Sequence, residues 1–405
     1  MTTIFDCGII GMGVAGCFAA YKISKEHKGI KVIGFDLGRP PAKRRRQIEG
    51  FLGCLPNSDG KLYQNDLLKV GDLVGTRRAK SSNTWVSKIL SNVGDFKLVK
   101  DRSPNVSLEK KFKKIGYDLS LNNFTQIYPK DIHTLSKYMA ETIERNKNIT
   151  FSFDNEVKKI IKQRGSFVIT TESNEYRCKK IIVAAGRSGW RWVKDVFASF
   201  GIIDNNDIAR YGIRIEMNTN YMKDFNKSNC SFVKGNEIEL GPMSWFGTVI
   251  PEDHLDVAIS AFRSNENRWK SDKVSFNLIG NRLFPNKGFE QTDRIGKLTF
   301  VITNDRIIKE RVSHIISGKS KISVLKDEYD WLPEVLVELG TVIPELTTKA
   351  YYHAPTILPM APQINIGSNL ESEVDGMFVV GESAGIHGIL AAACMGGIAG
   401  DSVCK

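Results

Sequence analysis

The stretch GIIGMGVAG, residues 8–16, places Gly11, Gly13 and Gly16 directly after the apolar, β-branched run Ile4–Ile10. A helical pattern of apolar residues follows, so the three glycines fall between a predicted strand and a predicted helix. The first glycine permits a tight bend, the second lets backbone N–H groups approach a pyrophosphate, and the third lets the helix lie close to its strand. The stretch therefore predicts a dinucleotide-binding turn.

A second strand completes this unit. Residues 31–35 (KVIGF) predict a buried strand that ends at Asp36, twenty residues beyond Gly16. A carboxylate at this place can accept hydrogen bonds from the ribose of a dinucleotide. Strand, helix, strand and acid together predict a Rossmann-type unit, in which Val14 and Ala15 at the start of the helix are further candidate cofactor contacts.

Composition limits the remaining possibilities. A chain of 405 residues, 41% of them hydrophobic, has room for two domains or for one domain with an insertion. Its seven cysteines are scattered without a C-x-x-C pair, which predicts neither disulfides nor a metal site and favours a reducing, cytoplasmic compartment. No segment is apolar over a length that crosses a bilayer. The net charge of +12 is compatible with a nucleic-acid partner but does not require one.

A run of basic residues, KRRR at 43–46, follows the predicted ribose acid. We expect Arg44 and Arg45 to lie over the adenine and phosphates of the nucleotide. A solvated loop and a nuclear-targeting signal are alternative interpretations of the same run.

The C-terminal region favours FAD over NAD. An NAD enzyme needs only the N-terminal turn, whereas FAD requires additional contacts that often come from distant parts of the chain. Residues 375–380 (DGMFVV) predict a strand that leads into Gly381 and Glu382. The Glu382 carboxylate can accept hydrogen bonds from ribityl hydroxyls. Gly388 and Ile389 begin a predicted helix whose positive end can stabilise negative charge on a reduced flavin.

A third segment lies between these two. Residues 156–178 predict a hairpin, and residues 179–185 (KKIIVAA) predict a buried strand that returns the chain to the nucleotide unit. Candidate cofactor contacts here are Val157, Ala185 and Gly186.

Taken together, these segments resemble the FAD domain of the glutathione-reductase-type flavoproteins. A closer similarity is to a largely uncharacterised group of bacterial FAD-dependent dehydrogenases, which carry an SDGKL element, an RVE-like strand, an AP segment and a GLYVAGEGAG-like motif. The counterparts in this chain are Ser58–Leu62, Gly212–Glu216, Ala354–Pro355 and Gly376–Gly385. Ser58 and Lys61 in the first element are candidate cofactor contacts.

The chain departs from this group at two places. Residues 54–57 (CLPN) precede SDGKL, where small residues and an aromatic are usual. His387 occupies the closing turn, where the group often has an arginine. These departures concern the chemistry above the flavin rather than the cofactor.

The resemblance implies an α/β fold with a discontinuous Rossmann-type FAD-binding domain and an inserted α+β substrate domain built on an antiparallel sheet. The FAD-binding domain would comprise residues 1–65, 125–205 and 350–405, the substrate domain residues 206–349, and residues 66–124 an excursion of uncertain assignment. Within the insertion, residues 246–250 and 255–262 predict an antiparallel pair with residues 251–254 as its turn.

Few residues are candidates for chemistry at the flavin, which accepts a hydride itself and needs only orientation, electrostatics and one base from the protein. His387 and His353 are the candidate bases, and Trp245 is a candidate aromatic wall of the site. Arg214 can bind a carboxylate or phosphate bidentately. Structural roles are the alternatives: a backbone contact for His387, packing for His353 and Trp245, and a solvated face for Arg214.

Three functions are compatible with these features. The first is an FAD-dependent oxidoreductase, similar to amine or amino-acid oxidases and dehydrogenases, that oxidises a C–N or C–C bond of a small molecule by hydride transfer. The second is a flavin enzyme acting on an amine or amino-acid substituent of a modified base in DNA or RNA, suggested by the net charge and by the basic stretches at 109–114 and 187–194. The third is a flavoprotein redox sensor.

Overall fold

The computed structural model describes residues 4–44, 48–204, 206–254, 257–263, 271–285, 287–303, 307–358 and 363–405. The chain separates into two compact units. The first unit comprises Met1–Leu98, Thr125–Asn205 and Ala361–Lys405, and the second unit comprises Val99–Phe124 and Asn206–Met360.

The expected boundary near residue 205 coincides with a change of unit, but two other boundaries differ. Residues 350–360 belong to the second unit rather than to the nucleotide domain, because the strand Tyr351–Ile357 pairs within the second unit's sheet. The excursion 66–124 is divided, with residues 66–98 in the first unit and residues 99–124 in the second.

Strands and helices alternate mainly in the N-terminal part of the chain, and runs of consecutive strands or of consecutive helices make up much of the rest. In chain order, the strands are β1 (Ile4–Ile10), β2 (Val32–Phe35), β3 (Lys61–Tyr63), β4 (Leu98–Val99), β5 (Asp118–Ser120), β6 (Phe124–Gln126), β7 (Ile149–Ser152), β8 (Val157–Gln163), β9 (Ser166–Thr171), β10 (Glu175–Val183), β11 (Ile208–Asn218), β12 (Ser231–Lys234), β13 (Ile238–Leu240), β14 (Ser244–Trp245), β15 (Thr248–His254), β16 (Val257–Arg263), β17 (Lys273–Leu283), β18 (Ile308–Arg311), β19 (Tyr351–Ile357) and β20 (Met377–Val379).

The helices are α1 (Val14–Glu26), α2 (Asp66–Val74), α3 (Thr76–Ser91), α4 (Val106–Lys114), α5 (Pro129–Glu144), α6 (Trp190–Ser199), α7 (Gly288–Thr303), α8 (Val312–Ile316), α9 (Lys326–Tyr329), α10 (Leu332–Gly340), α11 (Pro344–Lys349) and α12 (Ile389–Ser402). Of the helices described, none has the length and apolar character needed to cross a membrane.

The first unit is built on a mixed sheet of strand order β7-β2-β1-β10-β9-β8, with β20 also paired to β10. β7, β2, β1, β10 and β20 are parallel, whereas β8 and β9 form the predicted hairpin and pair antiparallel with β10. This parallel core with helices on its faces is the predicted Rossmann-type α/β domain.

Both faces of the central parallel strands are covered, which explains why β2 and the last residues of β1 and β10 are apolar and buried. Successive side chains of β1 enter different cores: Ile9 packs with Phe18 of α1, and Ile10 packs with Phe197 of α6. The strand formed by Ile4–Ile10 is therefore buried over its last four residues, whereas Ile4 is exposed and the next two residues are partly exposed.

The two glycine-rich segments of the chain meet in the first unit. A Cβ on Gly396 of α12 would lie 2.1 Å from the carbonyl oxygen of Ala15 in the first turn of α1, and a Cβ on Gly381 would lie 3.5 Å from the Cβ of Ala15. The small residues of α12 thus allow it to pack directly against α1. Segments from the two ends of the chain form one surface in this way.

The second unit contains an antiparallel sheet of order β18-β19-β11-β17-β13-β12-β5, with β14 also paired to β17. Its long central strands β11 and β17 are in register from Ile208↔Leu283 to Asn218↔Lys273. This is the predicted antiparallel sheet of the inserted domain.

A separate two-stranded sheet in the second unit corrects one local prediction. β15 and β16 pair antiparallel as expected, but residues 251–254, predicted as their turn, belong to β15. Pro251 is opposite Ser260 in this ladder. The connection falls at residues 255 and 256, which lie outside the described part of the chain.

Candidate functional site

The parallel strands of the first unit bring most of the predicted cofactor contacts to one edge of the sheet. Ile10 is aligned with both Phe35 and Val183, and Val183 is aligned with Val379. The next residues along each strand therefore lie side by side: the turn at Gly11, Asp36 after β2, Ala185 and Gly186 after β10, and Gly381 and Glu382 after β20. In parallel α/β sheets, ligands bind outside the carboxyl ends of the strands.

The glycine turn at the start of α1 has the properties of an anion site. Gly11 has φ +96°, and a Cβ there would lie 2.4 Å from the carbonyl oxygen of Ala184. Gly13 is the N-cap of α1, no side chain caps that end, and the first turn carries no acidic residue. A Cβ on Gly13 would meet only Gly53 Cα, at 3.8 Å. Packing among the described residues therefore does not require glycine at position 13.

Gly16 has a different role from Gly13. A Cβ on Gly16 would lie 1.9 Å from the carbonyl oxygen of Gly11, so glycine is required there by the close approach of helix and turn. Val14 and Ala15 are buried in the first turn of α1. Their backbone N–H groups belong to the helix end that lacks partners within the helix.

The carboxylate of Asp36 is bound by backbone groups. Its Oδ2 accepts a hydrogen bond from Met12 N at 2.7 Å, and its Oδ1 accepts from Gly38 N and Gly50 N, each at 2.7 Å. Burial raises the pKa of Asp36 above its usual value, while these three donors and Arg44 oppose the increase. Asp36 thus ties the glycine turn to the loop after β2, and the ribose contact remains a prediction.

Arg44 lies against the protein rather than extending into solvent. Its guanidinium donates hydrogen bonds to the carbonyl oxygens of Phe51, at 2.5 Å, and Gly53. The side chain therefore fixes the loop that contacts Gly13. Its contact with the nucleotide stays a prediction. Arg45 lies outside the described residues.

The SDGKL element forms a turn with local contacts. Ser58 Oγ donates to the carbonyl oxygen of Leu55 at 2.9 Å and accepts from Gly60 N at 3.0 Å. Lys61 Nζ lies 3.6 Å from Asp59 Oδ2. Val157, the remaining predicted contact, is buried at the first position of β8. The cofactor contacts of Ser58, Lys61 and Val157 stay predictions.

Glu382 forms a charged cluster with two other residues of the first unit. Its Oε1 lies 3.4 Å from an Arg187 guanidinium nitrogen and 3.5 Å from His387 Nδ1. Burial by itself would raise the pKa of Glu382, but Arg187 and His387 outweigh burial and lower the pKa to about 2. Glu382 is therefore ionised at neutral pH. Its Oε2 is buried and has no hydrogen-bond partner among the described residues, so this oxygen is available to a donor from a ligand.

Asp66 also lies at this site, although no sequence motif singles it out. A Cβ on Gly388 would be only 2.0 Å from Asp66 Oδ2. Gly388 has φ +111° and is the N-cap of α12, which begins at Ile389 as predicted. Burial raises the pKa of Asp66 to about 7, and Lys69 opposes only part of the increase. A carboxyl group that titrates near neutrality thus stands at the start of α12.

The second unit brings Arg214 and His353 together on its sheet. The two residues are directly opposite each other on β11 and β19, so their side chains share one face. Arg214 Nη1 lies 3.3 Å from Ser275 Oγ. Glu216, two residues along β11, has its Oε2 3.7 Å from His353 Nε2 and its Oε1 3.3 Å from Lys309 Nζ.

Charges on this face set the protonation of His353. Burial lowers the pKa of His353, the Glu216 carboxylate opposes this effect, and Lys309 and Arg214 add to it. Burial by itself would raise the pKa of Glu216, but His353 and Lys309 outweigh burial and lower it to about 2. At neutral pH the face therefore carries an ionised Glu216 beside a neutral, buried imidazole.

Trp245 is a core residue of the second unit. Its side chain is buried in β14, and its Nε1 donates a hydrogen bond to the carbonyl oxygen of Ser228 at 2.6 Å. These contacts agree with the packing interpretation, and they leave the ring without the exposed face that a wall of a substrate site requires.

The two basic stretches, residues 187–194 and 109–114, differ in their exposure to solvent. In residues 187–194, Trp190 is only 7% exposed and Arg187 is paired with Glu382, so neither is presented as a surface contact for bases or phosphates. In residues 109–114, the lysines of α4 are exposed. An exposed basic helix face is an ordinary solvated surface, and it gives the nucleic-acid alternative no specific support.

No protein-family model matches the chain, and no curated protein matches it either. Solved structures of flavoproteins do align with it. Glycine oxidase from Geobacillus kaustophilus aligns at a TM-score of 0.45 with 12% identity, covering 99% of this chain and 95% of that chain. A flavoprotein/dehydrogenase from Cytophaga hutchinsonii aligns at 0.46 with 15% identity, covering 99% and 78%. A variant of quinol fumarate reductase FrdA from E. coli aligns at 0.48 with 11% identity, covering 100% and 70%. Identities and scores this low do not extend those proteins' activities to this chain.

Proposed function

We propose that this chain is an FAD-dependent oxidoreductase that oxidises a C–N or C–C bond of a small-molecule substrate. The observation that carries the proposal is the meeting of two uncapped helix N-termini, those of α1 and α12, at one edge of a parallel sheet. A dinucleotide carries its negative charge at the diphosphate and, after reduction, at the flavin ring. Two helix N-termini on one surface suit a ligand with two such centres.

The residues of the first unit suit FAD on physical grounds. The open space beside Gly13 leaves the turn free to approach a diphosphate, and α1 supplies N–H donors to it. The Oε2 of Glu382, buried and without a hydrogen-bond partner in the described segments, would accept a hydrogen bond from a hydroxyl group such as those of the ribityl chain. These two features lie next to each other, because a Cβ on Gly381 would contact Ala15 of α1.

In the second unit, the face that carries Arg214 and His353 is suited to a polar substrate. The guanidinium of Arg214 would bind a carboxylate or phosphate of the substrate bidentately. His353 would accept a proton, since its imidazole is neutral and its Nδ1 is buried without a hydrogen-bond partner among the described residues. Glu216 would then stabilise the imidazolium that forms.

The proposed reaction balances as follows. FAD, when bound, accepts two electrons and one hydrogen from a C–H bond of the substrate, so that the adjoining C–N or C–C single bond becomes a double bond. The second hydrogen leaves the neighbouring nitrogen or carbon as a proton. A base of the protein accepts that proton, and His387 of the first unit and His353 of the second unit are the candidates.

A glycine substitution tests the cofactor half of the proposal. Gly13→Ala should leave the stability of the FAD-free protein unchanged, because φ at Gly13 is −67° and the added methyl meets only Gly53. It should weaken FAD binding at least tenfold, measured by flavin fluorescence quenching on reconstitution. Gly29→Ala, in an exposed turn with open space around its Cβ, is the matched control and should change neither quantity. Purified protein that cannot bind FAD would overturn the proposal.

The substrate half is tested with a panel of amines and amino acids added anaerobically to the FAD-loaded protein. Bleaching of the flavin absorbance by at least one donor is expected, and its rate should fall at least tenfold in His353→Asn, while Trp245→Phe should retain the rate. If no donor in the panel reduces the flavin, the non-enzymatic flavoprotein is the better hypothesis.

A further inference from the structure

Asp66 occupies the place of a side chain at Gly388. It is the first residue of α2, and a Cβ built on Gly388 would lie 2.0 Å from its Oδ2 and 2.2 Å from its Cγ. The carboxyl group therefore rests on the backbone at the point where α12 begins. Any residue other than glycine at position 388 would displace it.

One oxygen of this carboxyl group lacks a hydrogen-bond partner among the described residues. That oxygen, Oδ2, is buried. Leaving a buried carboxylate oxygen without a donor costs free energy, whereas a protonated carboxyl can itself donate to an acceptor. A ligand with an acceptor at the start of α12 would complete the hydrogen bonding of Asp66.

Few charged residues act on Asp66, so its carboxyl group can change its protonation state near neutral pH. Two helices, α3 and α12, pack against α2. Besides Asp66, the charged residues of these three helices are Lys69 and Asp72 on α2, Arg77, Arg78, Lys80 and Lys88 on α3, and Asp401 at the far end of α12. Of these, only Lys69 contributes to the pKa of Asp66, which burial holds at about 7. His387 and Glu382 precede α12, and they pair with each other.

We propose that Asp66, when protonated, donates a hydrogen bond to the pyrimidine ring of the flavin, and that above neutral pH its carboxylate takes up one proton from solvent when the flavin is reduced. The inference rests on the proposed function, since it needs FAD with its ring at the start of α12. The acid donates a hydrogen bond to an acceptor of the pyrimidine ring. Two electrons entering the ring add negative charge beside the carboxylate, which raises its affinity for a proton. The proton adds to a carboxylate oxygen, and no covalent bond to the flavin forms.

The reduction midpoint potential of the FAD-loaded full chain, measured from pH 5.5 to 9, tests this inference. In the wild type, the potential should fall more steeply with pH above about pH 7, by one additional proton per two electrons. Asp66→Asn keeps the shape of the side chain but cannot titrate, so the steeper segment should disappear. Asp72→Asn, an exposed carboxylate on the same helix, is the matched control and should keep the segment.

A second measurement uses a different readout and a second substitution at Asp66. The visible spectrum of the oxidised flavin in the wild type should shift with a midpoint near pH 7, and the shift should be lost in Asp66→Ser as well as in Asp66→Asn. If the Asp66 substitutions change neither the pH dependence of the flavin spectrum nor that of the midpoint potential in FAD-loaded protein, this inference alone is overturned. Protein that binds no FAD overturns both this inference and the proposed function.

Discussion

Nε2 of His353 lies 3.7 Å from Oε2 of Glu216, and both side chains project from the same face of two adjacent antiparallel strands. The pair is almost completely buried, with 4% and 10% of the two side chains exposed. Lys309, which is 54% exposed, reaches Glu216 from β18, the strand on the other side of β19. The face therefore holds a buried carboxylate whose charge is balanced by a cation from the surface.

Replacing Glu216 should reduce stability in a pH-dependent manner. At pH 7 we expect Glu216→Gln to lower the free energy of unfolding by about 1–3 kcal/mol, since a hydrogen-bonded charge is lost from a buried position. The pKa of Glu216 is lowered from 4.5 to about 2, so its contribution is present above pH 4.5 and lost as pH falls through 2. Urea unfolding at pH 7, 5.5, 4 and 3 measures the difference.

Glu239 provides the control for this experiment. It pairs with Arg210 at 3.1 Å on the same sheet but is 31% exposed. Glu239→Gln should cost less than about 1 kcal/mol at every pH tested. Equal effects of the two substitutions would contradict the role we assign to burial at Glu216.

Asp66→Asn should stabilise the FAD-free protein at alkaline pH. The pKa of Asp66 is raised from 3.8 to about 7, so its contribution to stability is present below pH 3.8 and lost as pH rises through 7. We expect the variant to exceed the wild type by roughly 1–4 kcal/mol at pH 8 and to match it near pH 4. Denaturant titrations at both pH values measure this, with Asp72→Asn as the exposed control. A constant difference across this range would argue against a titrating Asp66.

Gly388→Ala should destabilise the protein more than Gly75→Ala. The two glycines are helix N-caps with similar backbone angles, φ +111° and ψ 140° at Gly388 and φ +88° and ψ 139° at Gly75. The backbone strain of about 1–3 kcal/mol is therefore common to both. A methyl at Gly75 meets nothing within 4 Å, whereas one at Gly388 collides with Asp66.

A double mutant separates the two costs at Gly388. Because the Asp66 Cβ would also lie 2.8 Å from a Cβ at position 388, the test uses Asp66→Gly: in that background the loss caused by Gly388→Ala in chemical denaturation should fall to that of Gly75→Ala. If the excess persists without the Asp66 side chain, the collision is not its cause.

Glu382→Gln should weaken FAD binding by about ten- to a hundredfold, which corresponds to the roughly 1.5–3 kcal/mol of a hydrogen bond to a charged group. The reason is that glutamine keeps an acceptor oxygen but removes the negative charge held between Arg187 and His387. Fluorescence titration with FAD measures the dissociation constant. Asp375→Asn, at an exposed residue of the same C-terminal segment, should bind FAD as the wild type does.

Several parts of the site could be predicted because their signals are local. The spacing of Gly11, Gly13 and Gly16 between a strand and a helix identified the turn, and the start of α12 after Gly388 followed from its small residues. Other parts could not be predicted from local pattern. The turn expected at residues 251–254 belongs to a strand, because pairing with β16 extends through Pro251.

The residues that were missed owe their properties to distant neighbours. Asp66 resembles any acidic residue at the start of a helix, and only its position against Gly388 leaves its Oδ2 buried and without a hydrogen-bond partner in the described part of the chain. Likewise, Glu216 is an ordinary residue of an alternating strand until β19 brings His353 to its side. A signal was present in the alternation of Arg214 and Glu216, which places both on one face.

The sequence by itself determined the Rossmann-type unit, since glycine spacing, apolar strands and helix starts depend on a few neighbouring residues. Tertiary structure alone decided which of the remaining polar residues belong to a site. The reason is physical: burial and charge pairing shift a pKa only when residues from separate strands or helices come within a few ångströms. For Asp66, Glu216, His353 and Glu382, that proximity arises from the order of strands in a sheet and from helix packing, which no short stretch of sequence specifies.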